Sequence, residues 1–482
     1  MYEFSTVYWP HVLATLSVIF GTIAATHAAM TKREVRSALG WVGVIVLSPL
    51  IGAMIYGVVG INRIRRASIR SRRAYQLDEI WRDLSQYTIG RSTVESQFGS
   101  AFGALKRLGD YVTRHPLSCS NRISMLETGD VTYEAMGAAI DAAERSIILE
   151  TYIFDRDEVG LRLADRLIEA HRRGVAVRVL VDAVGARYSV PSIIGHLRDA
   201  DVPVETFNGK VIAGLRLPYA NLRTHRKIMV VDGQTAFVGG MNIRADFAGP
   251  NASLDTHFKV AGPVVAEILS IAAEDWHFET GEALVGGAWQ IAFDDLPPGE
   301  PCLARAVASG PDANLEANHK VLIGAFSVAQ RSIRIMSPYF LPDNIFLSAL
   351  NTAARRGVSV EIVLPASNNL ALVGHAMMAQ LEPVLREGCR VYRAFGPFDH
   401  SKLLTVDDQW SFVGSSNLDS RSLRLNFEID LEVYDRDFTA QINRRIQRSI
   451  DNSEELDLPT LRARPFPLRL FERFLWLGSP YL

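Results

Sequence analysis

One motif, written twice, constrains this chain more than any other feature. "HRKIMVVDG" begins at His225 and "HSKLLTVDD" at His400; each reads His-x-Lys, four further residues, then Asp. A single offset of 175 residues relates His225 to His400, Lys227 to Lys402, Asp232 to Asp407 and Asn242 to Asn417. It also relates "FVGG" from Phe237 to "FVGS" from Phe412. Upstream, "RSIILETYIF" from Arg145 matches "RSIRIMSPYF" from Arg331 at an offset of 186, and "RRGVAVRVLV" from Arg172 matches "RRGVSVEIVL" from Arg355 at 183. The drifting offset places length differences in loops, which tolerate insertion better than the elements they join. Two copies are too few for a solenoid. They predict two similar domains packed about a pseudo-twofold.

Each copy reads as strand, helix, strand. "SIILETYIF" is a short run with β-branched residues, and "GLRLADRLIEAHRRG" has helical periodicity with a C-terminal glycine at Gly174. The His-x-Lys segments alternate in polarity and turn at "DG" or "DD", so each histidine and lysine is expected to begin a strand. Two residues apart on a strand, His400 and Lys402 share a face, as two groups acting on one phosphate require.

These residue types suit phosphorus chemistry. A histidine titrates near neutrality and serves as nucleophile or general acid. A lysine supplies charge to phosphate oxygens, and Asn or Ser donors stabilise charge developing in the transition state. A carboxylate on the far ring nitrogen fixes the tautomer and steadies the imidazolium. Each copy holds half of this, and two copies facing each other give a nucleophile on one side of phosphorus and an acid on the other. A metal site is the alternative reading of His and Asp, but a lysine beside each histidine repels a metal. The copies differ at one place: Gly240 stands where the second copy has Ser415.

Composition narrows the setting. The net charge of −2 is not that of a dedicated nucleic-acid binder, and three scattered cysteines (Cys119, Cys302, Cys389) make neither a disulfide framework nor a cysteine metal site. The 48% apolar content of the 482 residues is concentrated near the N-terminus. No charged side chain lies between Glu3 and Lys32 or between Arg36 and Arg63, and the apolar runs 12–30 and 41–61 each reach the roughly 20 residues that span a bilayer as helix. A signal peptide is the competing reading of the first run; it lacks a basic leading segment. The loop between the runs has Lys32, Arg33 and Arg36, whereas Arg63, Arg65, Arg66, Arg70, Arg72 and Arg73 follow the second run, favouring a cytoplasmic location for both chain ends. Near the C-terminus, "RPFPLRLFERFLWLGSPYL" mixes Leu, Phe and Trp with Arg and reads as an interfacial helix or docking tail. The stretch 211–223, just before the first motif, reads equally as an acyl-chain entrance or as an ordinary loop.

The doubled motif resembles that of the phospholipase D superfamily. Within it, "ALGWVGVIVLSPLIGAMIYGVVGINRIRR", "HRKIMVVDG", "SPYFLPD", "VGSSNLDSRSLRLNFEIDL" and the terminal "LGSPYL" resemble bacterial cardiolipin synthases. The resemblance implies an α/β fold of two pseudo-twofold-related α-β-α domains with mixed sheets, preceded by two transmembrane helices. The expected segments are anchors over 1–62, a basic linker over 63–125, domains over 126–295 and 296–460, and an interface tail over 461–482. It implies phosphatidyl transfer between two phosphatidylglycerols through a phosphohistidine, giving cardiolipin and glycerol. His225 is the implied nucleophile and His400 the acid/base, with the reverse order open. Lys227 and Lys402 bind phosphate, helped by Asn242, Asn417 and Ser415. Glu428 is expected to orient His400, with Asp255 as its counterpart in the first copy. Asp232 and Asp407 complete the catalytic motif in a structural role. Tyr339, Arg421 and His257 border these segments. No cofactor or metal is implied; exchanging one phosphodiester for another needs no nucleotide energy, and no P-loop pattern is found. The expected partners are phospholipids and a bacterial inner membrane, with no nucleic acid; a homodimer is a further expectation. Competing readings are a hydrolase of the same fold, transfer to another alcohol, and a non-enzymatic membrane scaffold.

Overall fold

The two repeats fold alike because the same signals recur at matching positions. The computed structural model describes residues 2–32, 35–61, 84–113, 115–208, 222–291, 300–311 and 314–479. The first repeat supplies β1 (Ser118–Leu126), β2 (Ser146–Thr151), β3 (Ala176–Asp182), β4 (Val204–Phe207), β5 (Ile228–Val231), β6 (Thr235–Gly239) and β7 (His257–Ala261). The second supplies β8 (Cys302–Ser309), β9 (Ser332–Met336), β10 (Phe340–Leu341), β11 (Ser359–Pro365), β12 (Arg390–Ala394), β13 (Leu403–Val406), β14 (Trp410–Gly414), β15 (Leu418–Asp419), β16 (Glu428–Tyr434) and β17 (Ser453–Leu456).

Among the described residues, β10 and β15 pair separately and the other strands form one 15-stranded mixed sheet. The repeats join where β1 runs antiparallel to β8, with Ser118 opposite Ala304. Read outward from that junction, the order is β1-β7-β6-β5-β2-β3-β4 on one side and β8-β16-β14-β13-β9-β11-β12-β17 on the other. Apart from the added β17, the sides match strand for strand. The expected linker over 63–125 therefore already contains structure of the first half, since β1 starts at Ser118.

Local chemistry explains the matching elements. Asp157 caps the helix Glu158–Arg172 by accepting from the backbone N–H of Val159 and Gly160, and Asp343 caps Asn344–Arg355 through Ile345 and Phe346. Beyond these helices Gly174 and Gly357 both adopt φ +93, the left-handed conformation that lets a helix stop and reverse. Ile147 and Leu149 of β2 and Val177, Val179 and Val181 of β3 join Leu163 and Leu167 in one apolar core, while the intervening residues point to the opposite face. The motif segments turn as the sequence suggests. Asp232–Gly233 and Asp407–Asp408 link β5 to β6 and β13 to β14, with φ of 53, 62, 53 and 55. Three residues separate the paired Val231 and Thr235, and Val406 and Trp410; the positive φ values close the turns in which Gln234 and Gln409 donate back to the Val231 and Val406 carbonyls. The strands begin one residue after each lysine, so the His-x-Lys segments lead into the strands rather than starting them.

The N-terminal helices form a unit of their own. The first apolar run lies within the helix Tyr2–Thr31, of which Tyr8–Thr31 has 24 residues at a mean hydropathy of 1.7. The second does not form one continuous helix. It divides into Val35–Leu47, Pro49–Ile55 and a wide helical turn over Tyr56–Gly60. Pro49 has no N–H to continue the ladder, and Ser48 leaves the helical region at φ −145. Among the described residues, one helix rather than two is long and apolar enough to cross a membrane. Ala28, Ile45 and Tyr56 are the buried residues that tie the pieces together, and His27 Nδ1 lies 2.8 Å from the Tyr56 hydroxyl. The arginines at 63–73 and the stretch 211–221 lie outside the described residues.

Candidate active site

The two motif segments meet at the seam between the halves, and backbone pairing fixes how. The His225 N–H donates to the Phe427 carbonyl at 2.8 Å, and the Phe427 N–H donates to the Arg223 carbonyl at 2.9 Å. The same exchange occurs in the other half: the His400 N–H donates to Leu254 at 2.7 Å, and the Leu254 N–H donates to Phe398 at 2.8 Å. Each histidine segment thus runs parallel to a segment of the opposite repeat. The residue after each crossing partner is a carboxylate, Glu428 after Phe427 and Asp255 after Leu254.

The orienting pairs are therefore crossed. His225 Nδ1 lies 2.9 Å from Glu428 Oε2, and His400 Nδ1 lies 2.8 Å from Asp255 Oδ2. The expectation that Glu428 orients His400, with Asp255 serving the first copy, is corrected. Repeat alignment pairs residues within a copy, whereas the seam exchanges them. Further hydrogen bonds stitch it, from Thr256 Oγ1 to Ser401 Oγ at 2.9 Å and from Arg226 Nε to the Glu428 carbonyl at 3.1 Å.

The lysines flank the same space. Lys227 Nζ donates to the His225 carbonyl at 2.7 Å and sits 5.6 Å over the Tyr152 ring. Lys402 Nζ donates to the His400 carbonyl and lies 2.8 Å from His400 Nδ1 and 3.9 Å from Asp255 Oδ2. His225, Lys227, His400 and Lys402 are all buried, and Asp255 and Glu428 are completely so.

Known proteins share this sequence and fold. The profile described as "Cardiolipin synthase, PLD-like domain" matches residues 136–276 and 322–450. A cardiolipin synthase of Alkalihalophilus pseudofirmus is 33% identical over 484 residues, covering 98% of this chain and 93% of that protein. Cardiolipin synthase A of Pseudomonas putida is 33% identical over 462 residues, covering 94% of each. The chain belongs to the cardiolipin synthase family. The phosphatidylserine synthase of Haemophilus influenzae has a similar fold, with a TM-score of 0.59 at 17% identity over 79% of this chain and 100% of that one.

In this member of the cardiolipin synthase family, burial governs the electrostatics. Burial and the neighbouring lysines hold His225 well below its usual pKa, and burial with Lys402 brings His400 down to about 4. Burial lowers Lys227 to about 7 and lowers Lys402 as well. Two lysines and two histidines act on one another here, and a bound phosphodiester anion would favour their charged forms. The carboxylates differ. Burial pushes Glu428 up to about 7 against the pull of Lys227, whereas at Asp255 burial is outweighed by Lys402 and His400 and its pKa falls.

The difference at Gly240 and Ser415 has a steric cause. A Cβ at Gly240 would lie 2.4 Å from Asp255 Oδ1, so the short carboxylate leaves no room for a side chain. Ser415 was expected to turn toward phosphate. Its hydroxyl instead donates to Glu428 Oε2 at 2.6 Å and accepts from the Ile429 N–H at 2.9 Å. It braces the longer carboxylate.

The other expected residues separate. Asp232 accepts the backbone N–H groups of Glu144, Arg145 and Ser146 at 2.7–2.9 Å, and Asp407 those of Gln330, Arg331 and Ser332 at 2.7–2.9 Å. They anchor the far ends of β5 and β13 and lie apart from the histidine–lysine cluster. Asn242 Oδ1 accepts from the Ile153 N–H at 3.3 Å. Asn417 is buried, and its Oδ1 has no partner among the described residues. His257 is buried on β7 opposite Gly239 and is lowered to about 4 by burial. The Arg421 carbonyl receives the N–H groups of Leu425 and Asn426, closing a turn. Sequence reasoning missed Tyr152, whose ring is 5.4 Å from His225, and Phe247 and Phe398, 6.2 and 5.9 Å from His400. Tyr339 stands 6.0 Å from His400. Tyr152 lies within the repeated "SIILETYIF" run, opposite Pro338 of "SPYF" at the offset of 186, a signal that pointed to it.

Proposed function

We infer that this chain is a phosphatidyltransferase that joins two phosphatidylglycerols into cardiolipin and releases glycerol. The observation that carries the reading is the pair of histidine–carboxylate couples, each with its lysine, meeting at one buried seam. In the first step His225 Nε2 attacks the donor phosphorus, and the P–O bond to the headgroup glycerol breaks. His400, protonated at Nε2, gives its proton to the leaving oxygen. In the second step the glycerol hydroxyl of another phosphatidylglycerol loses its proton to His400 and attacks the phosphohistidine, which returns His225. One phosphodiester replaces another, so bonds and protons balance without a further reactant. Lys227 and Lys402 neutralise the non-bridging oxygens, and Asn417 offers a further donor.

The assignment of roles has its own support. A carboxylate held low, Asp255, stabilises the imidazolium that an acid needs, so it favours His400 as acid. Glu428, held near 7 and shared with Ser415, stabilises a cation less and suits a histidine that attacks while neutral. The test uses phosphatidyl-p-nitrophenol, whose leaving group needs no acid. His400→Ala should release a burst of p-nitrophenol and accumulate phosphohistidine, whereas His225→Ala should do neither. The opposite pattern would invert the roles. Phosphatidic acid as the sole product from phosphatidylglycerol would replace transfer with hydrolysis.

We further propose that the N-terminal helix anchors the enzyme in the inner membrane and that the broken second run returns across it. Both ends would then be cytoplasmic. The six arginines between 63 and 73 support that orientation. A cysteine introduced at Ser68 should react with an impermeant thiol reagent only after the cytoplasmic side is opened; labelling from outside would overturn the topology.

A further inference from the structure

The helix Phe466–Leu477 packs Leu475 and Trp476 on the core but exposes a second apolar stripe. A surface helix ordinarily packs its apolar face and gives its charges to water. Here Glu472 is the buried side chain, 2% exposed, and it accepts from Arg464 at 2.7 Å. Phe466, Leu470, Phe474 and Leu477, spaced along one stripe, are 72%, 57%, 71% and 69% exposed. The helix is nonetheless docked. Trp476 Nε1 donates to Gln380 Oε1, and the Phe471 ring meets His375 at 5.6 Å, both on the helix Ala371–Arg386.

The supporting helix carries further exposed apolar side chains. Leu370 and Leu372, at the start of that supporting helix, are half exposed. The preceding residue, Asn369, accepts a hydrogen bond from the Tyr339 hydroxyl at 2.8 Å, and Tyr339 borders His400. Leu370 is thus the chain neighbour of a residue that holds a side chain beside His400.

Charge identifies the occupant. Residues 458–479 contain Arg462, Arg464, Arg469 and Arg473, and their single carboxylate is the buried Glu472. Arg462 and Arg473 share one neighbouring carboxylate, Glu382, at 2.9 and 3.5 Å. An apolar stripe bordered by arginines fits a bilayer containing anionic lipid: the rings enter the headgroup boundary and the guanidinium groups meet phosphates. A second copy seated on the same stripe would bring two arginine rows together, which opposes self-association.

We propose that Phe466, Leu470, Phe474 and Leu477, extended by Leu370 and Leu372, form a docking face for an anionic bilayer surface and seat the His400 side of the site against the lipid. The inference rests on phosphatidyl transfer only for the identity of the substrate.

The test uses the full chain in vesicles containing phosphatidylglycerol. A Cys119→Ser, Phe474→Cys protein carries an environment-sensitive label, and doxyl-labelled lipids should quench it. Replacing the four stripe residues by Ser should lower turnover of bilayer phosphatidylglycerol on the order of tenfold, because apolar burial and charge together set interfacial affinity. Turnover of monomeric short-chain phosphatidylglycerol should be unchanged. An unquenched label overturns the proposal whatever the stripe variant does, including when the protein instead self-associates through this face. If the unaltered protein turns over neither substrate, the transfer reading falls, and quenching still decides the docking face.

Discussion

The two halves share a strand order, a hairpin turn and a His-x-Lys entry, yet their carboxylates are not equivalent. In the first half a short carboxylate, Asp255, sits against Gly240 and serves His400. In the second a longer one, Glu428, is braced by Ser415 and serves His225. The fold is repeated, but the chemistry at the seam is not. A symmetric scaffold brought two histidine–carboxylate couples to one seam, and a Gly/Ser difference set their carboxylate partners apart.

The largest effect should come from removing either histidine. His225→Ala and His400→Ala should each lower phosphatidyl transfer about a thousandfold or more, since nucleophilic and acid roles each contribute on that scale. Initial rates on radiolabelled phosphatidylglycerol read this out. If either variant kept substantial turnover, the two-jawed site would be wrong.

Carboxylate variants test the crossing itself. Glu428→Gln and Asp255→Asn should each cost on the order of a hundredfold or more in transfer. On phosphatidyl-p-nitrophenol their behaviour should diverge. Glu428→Gln should lose the burst, as His225→Ala does, and Asp255→Asn should keep it, as His400→Ala does. A burst from Glu428→Gln would return Glu428 to His400.

Gly240→Ala places a Cβ where Asp255 already stands. Overpacking of this kind typically costs about 1–3 kcal/mol, and displacement of Asp255 should lower turnover as well. Thermal unfolding with parallel rates would show both. Ser415→Ala in the other half opens space instead of overfilling it, so its loss of stability, from the hydrogen bonds to Glu428 and Ile429, should come without displacement of the carboxylate by a clash.

Asp232→Ala and Asp407→Ala should destabilise by similar amounts, roughly 1–3 kcal/mol, because each leaves backbone donors without an acceptor. Turnover per folded molecule should remain near the unaltered value. Unequal losses would mean that the hairpin anchors are not equivalent.

The smallest effect should be a displaced pH profile. The Ser415 hydroxyl donates to Glu428 and so favours its ionised form, which otherwise holds its proton up to about 7. Without Ser415 the proton stays to higher pH. The acid limb of the rate profile should therefore move upward by a fraction of a unit in Ser415→Ala, with little change on the alkaline side. An unmoved limb would make Ser415 a packing residue only.

Much of this was written in the sequence. The constant offset of 175 residues announced two matching halves. The Asp-Gly and Asp-Asp turns, the capping aspartates and Gly174 and Gly357 are local signals that fix their own neighbourhoods. His225, Lys227, His400 and Lys402 were legible because two residues apart on an extended segment means one face. The second apolar run showed its length in the sequence as a charge-free stretch, but its division into shorter helices came from the backbone, where the helix stops because Pro49 withholds a donor. The carboxylate partners were misassigned for a different reason. Alignment of a repeat pairs residues inside each copy, and nothing local tells Glu428 that its histidine lies in the other one. Only the tertiary seam decides that, because the parallel crossings of His225 with Phe427 and of His400 with Leu254 carry each carboxylate to the opposite imidazole.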